Sequence, residues 1–106
     1  MGGLNNWITQ QQEEYQRKLS AWGRAIPIIG YDQNQTRKDA YGSFIVWSEY
    51  GKQTQFGWEI DHELPKSQFP SIANQPANLR ALHWKNNRVK SDKIGSDTIG
   101  RILGGF

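Results

Sequence analysis

Glu59-Ile60-Asp61-His62-Glu63-Leu64-Pro65 is the stretch whose reading decides the architecture. Trp58 and Ile60 alternate with Glu59 and Asp61, the period of a half-buried strand. Pro65 lacks a backbone donor and ends the strand. Asp61 and His62 therefore stand at a strand mouth, where side chains can meet a substrate. Neighbouring strand residues point to opposite faces. For both to serve one site, the strand must bulge or end between them.

Working outward, residues 63–77 carry Pro65, Ser67, Pro70, Ser71, Asn74 and Pro76, and read as one long loop. Loops of this length are often functional. Asn78 closes the loop and Leu79–His83 reads as a short strand. Trp84–Ile94 reads as a helix stopped by Gly95. The segment after it, Ser96–Phe106, carries Ile99, Ile102 and Leu103, enough to dock as a last turn.

Upstream, Leu4, Ile8, Tyr15, Leu19 and Trp22 recur at near-helical spacing, which predicts a helix that closes the core and stops at Gly23. Gly30–Lys38 is polar and reads as a loop. Gly42–Tyr50 reads as a strand from its aromatic and β-branched content. A turn from Gly51 to Thr54 would return the chain through Gln55–His62, making a hairpin that delivers Asp61 and His62. The five tryptophans are assigned to packing, with base stacking open to whichever one proves exposed.

The chain has 106 residues, the size of one domain. Folding at this length buries roughly 60–70 % of the unfolded surface. Without cysteine there are no disulfides, thiolate metal sites or cysteine nucleophiles. The apolar run Ala25–Ile29 is too short to span a bilayer, and Met1–Asn6 lacks the features of a signal peptide. The expectation is no membrane and a cytoplasmic location, in a host or target cell if the protein is of phage or toxin type. Net charge is only +3, but Arg80, Lys85, Arg88, Lys90 and Lys93 face Asp92 alone within fourteen residues. Such a cluster points to a polyanion such as nucleic acid; the bland alternative is a solvated helix face.

A strand, a loop, a second strand and a helix would bring Asp61, His62 and Asn87 around one cleft. A carboxylate and an amide oxygen are hard ligands that leave most of an octahedral shell to water and phosphate, as Mg²⁺ prefers. Imidazole is the side chain suited to taking a proton from water near neutral pH. Ile60-Asp61-His62, Leu64-Pro65, Ser67, Asn78-Leu79 and Asn87-Arg88-Val89-Lys90-Ser91-Asp92 together resemble the HNH endonucleases, the ββα-metal nucleases, and the last run is similar to the HNH domain of CRISPR effectors. The resemblance covers residues 57–93, about a third of the chain.

The resemblance implies an α+β fold: one domain over residues 1–106, with an N-terminal helix over 1–23, a hairpin, and a ββα-metal unit over 57–95 without structural zinc. It implies a Mg²⁺-dependent DNA endonuclease leaving 5′-phosphate and 3′-hydroxyl ends. His62 would be the general base. Asp61 and Asn87 would bind one divalent ion, Mg²⁺ with Mn²⁺ or Ni²⁺ as substitutes. Asn78 would steady the loop and orient His62. Arg80, Lys85, Arg88, Lys90 and Lys93 would hold the DNA backbone, and Ser91 a metal-bound water. An inhibitor or immunity protein would follow if the protein were a toxin.

Three departures from the family pattern are visible. The two Cys-x-x-Cys pairs of many members are missing, with His83 and Asn86 in the second pair's positions. The long loop has Phe69-Pro70-Ser71 where a Gly-Gly often stands. Asn87 replaces the histidine of some members, favouring Mg²⁺ over Zn²⁺. His83 and Asn86 remain rival ligands, and Glu59 reads as a pairing or solvent residue. The rival functional classes are a non-catalytic nucleic-acid-binding module and a structural metal domain.

Overall fold

In a computed structural model describing residues 3–104, with side chains from Asn6 onward, Trp58 is the hub of the core. It has no exposed surface, and its ring meets those of Trp22, Trp47 and Tyr50 at centroid distances of 5.3, 5.7 and 4.8 Å. Its indole Nε1 donates to the Val46 carbonyl at 3.0 Å. Ala21, Ala25, Ile45, Leu79 and Ala81 complete the cluster. Three of the five tryptophans thus pack against one another.

Helix α1 spans Gly3–Gly23, with four Gln, two Glu and two Leu among its residues, good helix formers. Only its last turns reach the core. Ala21 and Trp22 are buried, while Trp7, Ile8, Tyr15 and Leu19 remain 40–57 % exposed. This corrects the expectation that the whole apolar stripe closes the core; Leu4 falls outside the described side chains. The reason is length: a 21-residue helix runs roughly 30 Å, more than this small core can cover.

Strands β1 (Ile26–Pro27), β2 (Thr36–Lys38) and β3 (Phe44–Val46) form an antiparallel sheet in that order. Pro27 sits on the edge strand, where a missing donor is tolerated. Part of the predicted Gly30–Lys38 loop is therefore strand. The expected hairpin between Gly42–Tyr50 and Gln55–His62 does not form. The chain leaves β3 at Val46 and turns through a 3₁₀ segment, Trp47–Glu49, that puts Trp47 and Tyr50 against Trp58. Burying these rings wins over extending the strand.

Strands β4 (Trp58–His62) and β5 (Leu79–His83) pair antiparallel, with Trp58 opposite His83, Asp61 opposite Arg80 and His62 opposite Leu79. Helix α2, Trp84–Lys90, follows at once. His83 caps it, its Nδ1 accepting from the Lys85 amide at 3.1 Å. The helix stops at Ser91, whose φ of 49° is left-handed, four residues before the predicted end at Gly95. A short helix α3, Thr98–Leu103, closes the described chain; Phe106 lies outside it. The result is a small α+β fold with an N-terminal helix and antiparallel strands. Among the described residues no helix is long and apolar enough to cross a membrane.

Gly57 carries the entry into β4. A Cβ there would stand 1.8 Å from the Lys52 carbonyl oxygen, a contact between backbones that no rotamer relieves. Gly57→Ala is expected to destabilise the fold by at least about 1–3 kcal/mol, the usual range for overpacking. A lowered urea midpoint with unchanged slope is the readout.

Candidate active site

The β4–β5 pair and α2 form a strand–strand–helix unit, and its register explains the placement of each charged residue. Trp58 and Ile60 face the aromatic core, which turns Glu59 and Asp61 toward α2. Asn87 stands over Glu59, and Lys90, almost one helical turn on, stands over Asp61.

Asp61 is 4 % exposed. Lys90 Nζ donates to its Oδ1 at 2.9 Å, and Arg80 Nε to its Oδ2 at 2.9 Å. Arg80 is directly across the β ladder, a favourable opposite-charge pair. Lys90 is 8 % exposed and also donates to the carbonyl of His62 at 3.0 Å. Arg80 and Lys90, read from the sequence as DNA contacts, thus have their charges engaged inside the protein. Burial works to lower the Arg80 pKa, but the hydrogen bond and charge of Asp61, with the charge of Glu63, together outweigh it and hold the guanidinium above its usual value.

His62 is the last residue of β4, and the ladder is regular up to it. No bulge separates it from Asp61, and the strand does not end between them. The condition for both to share one strand face is therefore not met: the two side chains leave β4 on opposite faces and only border the same open cavity. Its Nε2 lies 2.9 Å from Asn74 Oδ1. An amide oxygen only accepts, so Nε2 is the donor here, and in the neutral ring Nδ1 keeps its lone pair. Asn74 is a site residue that sequence reasoning missed, one polar residue among many in the loop. Asn78 holds that loop: fully buried, its Oδ1 accepts from the Leu64 amide and its Nδ2 donates to the Leu64 and Ala73 carbonyls. Asn78 therefore fixes the segment that carries Asn74, and Asn74 touches the imidazole.

Helix phase separates the two adjacent asparagines. Asn86 Nδ2 donates to Asp39 Oδ2 at 2.8 Å and to Ser43 Oγ at 2.9 Å, away from His62. Asn87 lines a cavity of about 540 Å³ together with Asp61, His62, Lys66, Ser67, Arg88, Ser91 and Asp92. A second cavity of about 410 Å³, bordered by Glu14, Arg17, Tyr50 and Glu59, shares His62 and Asn87 with the first. Both ring nitrogens of His83 are engaged, Nε2 with the Gln55 carbonyl at 2.8 Å. Of the remaining cations, Lys85 is exposed beside the Trp84 ring, Arg88 is exposed and paired with Glu59, and Lys93 is exposed on another cavity with Arg80 and Lys90.

Glu63 and its partners are the other group the sequence did not announce. This carboxylate is 4 % exposed and is met by Arg24, Arg80 and Arg101. Asp39, fully buried, accepts from the amides of Tyr41, Ser43 and His83 and from Asn86. It ties the first sheet to the start of α2.

The donor set at the main cavity fits a hard divalent cation in kind: a carboxylate, an amide oxygen and the Ser91 and Asp92 side chains, all oxygen donors. Asp61 is the reservation within that fit. Each of its oxygens already receives one cationic donor, though each has a second lone pair. Among the described residues no three His, Cys, Asp or Glu side chains are grouped for a metal. No family model matches the chain, and neither a curated protein nor a solved structure does.

Proposed function

We propose that the protein is a metal-dependent DNA endonuclease of the HNH, ββα-metal type. The observation that carries this reading is the meeting of His62, with Nδ1 free of protein partners among the described residues, and the oxygen donors Asp61 and Asn87 on one open cavity. In this reading His62 Nδ1 takes a proton from water, the hydroxide oxygen bonds to phosphorus, and the bond from phosphorus to the 3′ oxygen breaks. The departing oxygen is protonated from solvent, leaving 3′-hydroxyl and 5′-phosphate ends. A bound Mg²⁺ supplies stabilisation of negative charge on the phosphate and the leaving oxygen. Asn87 would hold it, with Asp61 contributing an oxygen beside its Lys90 and Arg80 contacts.

The backbone-binding role passes to the exposed cations, Lys66 and Arg88 at the cavity and Lys85 and Lys93 beyond it. Such contacts position a duplex without specifying sequence, and affinity falls steeply with salt. One observation favours a second reading, a nucleic-acid-binding module without catalysis: both Asp61 oxygens already accept from a cation.

Supercoiled plasmid incubated with the protein separates the two. Nicked or linear product with Mg²⁺, and none with EDTA, supports the nuclease. DNA binding without cleavage under Mg²⁺, Mn²⁺ or Ni²⁺ supports the module.

A further inference from the structure

We infer that Glu59 is a positioning residue for the cation site, fixing which end of the Asn87 amide is offered to a metal; this rests on the nuclease reading. Asn87 Nδ2 donates to Glu59 Oε1 at 2.9 Å. A carboxylate has no proton to give, so the amide nitrogen must be the end that faces it. The amide oxygen is thereby the end left over, and among the described residues no protein donor bonds to it. A metal ligand must be that oxygen, because an amide nitrogen has no lone pair to give. Without Glu59 the amide has no partner to choose between its two flips.

The position of Glu59 is itself held. Arg88 Nη1 reaches both carboxylate oxygens, at 3.0 and 3.3 Å. Arg88 is exposed, so this pair contributes orientation more than stability. Glu59 is in the middle of β4's ladder, paired to Leu82. Two residues along the same face, Asp61 makes the corresponding contact with Lys90. The strand thus uses one carboxylate to lock the helix and the other to aim it. Partners that orient a metal ligand typically account for 10–100-fold in metal affinity.

The test is Mn²⁺ titration of the EDTA-stripped full chain, followed by the electron paramagnetic resonance signal of free Mn²⁺, beside Mg²⁺-dependent plasmid cleavage. Glu59→Ala is expected to weaken Mn²⁺ binding by roughly 10–100-fold with the unfolding midpoint near wild type. Glu59→Gln, whose amide can accept from Asn87 Nδ2 but can also donate to Asn87 Oδ1, is expected to bind Mn²⁺ more weakly than wild type and no more weakly than Glu59→Ala. The double variant Glu59→Ala/Asn87→Ala should bind no more weakly than Asn87→Ala alone, since one residue acts through the other. Wild-type binding by Glu59→Ala or by Glu59→Gln, or additive losses in the double variant, would each overturn the assignment. A wild-type protein that neither binds Mn²⁺ nor cleaves removes the nuclease reading and this inference with it. A wild-type protein that does both, beside an unaffected Glu59→Ala, removes the inference alone.

Discussion

His62→Ala is expected to cut supercoiled plasmid roughly 10²–10⁴-fold more slowly than wild type in Mg²⁺, the range for loss of a general base. The fold should survive. His62 is only partly buried, and its single side-chain hydrogen bond is to Asn74 in a loop. Asn78, which holds that loop, does not touch the imidazole. Thermal unfolding of the variant should therefore track wild type while the rate collapses. The ordering also matters: Asn74→Ala should retain more activity than His62→Ala, because it leaves the base in place and frees only its tautomer and tilt. Cleavage by His62→Ala within a few-fold of wild type would remove this residue from the reaction.

Asp61→Ala is expected to destabilise the protein by about 3–5 kcal/mol, the cost of breaking a buried ion pair from one side. Two cations depend on this carboxylate. Lys90 is almost wholly buried, and Arg80 is flanked by Asp61 and Glu63. Removing Asp61 leaves an ammonium in a poorly solvated place with only carbonyl partners. Against a typical total of 5–15 kcal/mol, that is a large share, and urea denaturation will report it. A simple exposed metal ligand behaves otherwise: its loss abolishes metal response and leaves the fold nearly untouched. Adding Lys90→Met should recover part of the stability of Asp61→Ala, because the orphaned charge goes with it. If Asp61→Ala unfolds at the wild-type midpoint, the ion triad does not hold the fold. Activity loss in Asp61→Ala is interpretable as a metal effect only after this stability loss has been measured.

The strands at Trp58–His62 and Leu79–His83 and the start of the helix after them were legible, but the end of that helix was not, since it stops at Ser91 ahead of the expected Gly95. The long loop was legible from its prolines. The three-stranded sheet was not: strands of two and three residues offer no period to read, and β1 contains a proline. The hairpin expectation failed because Trp47 and Tyr50 look like strand residues but are drawn to Trp58 by ring burial. For the site, the family resemblance singled out His62, Asp61, Asn78 and Asn87, and helix phase in the structure turns Asn86 away. Spacing could not say that Arg80 and Lys90 would spend their charges on Asp61. A lysine pointing to DNA and a lysine buried against an aspartate have the same letter and the same place in a run. Their difference is set by cross-strand register and by where α2 crosses β4, both long-range properties.

The cations around Asp61 and Glu63 have a consequence for portability. Arg80 and Lys90 belong to the strand–strand–helix unit, but Arg24 follows α1 and Arg101 lies in α3. Asp39, which fastens the start of α2, comes from the first sheet. A short motif that looks self-sufficient in sequence is thus wired at both ends to chain that surrounds it. Moved alone into another scaffold, it would carry Glu63 without two of its three arginines and α2 without its anchor. The inheritable module is not the thirty-odd residues bearing the recognisable letters but the larger body that neutralises them, and recombination boundaries for chimeras belong outside Arg24 and Arg101.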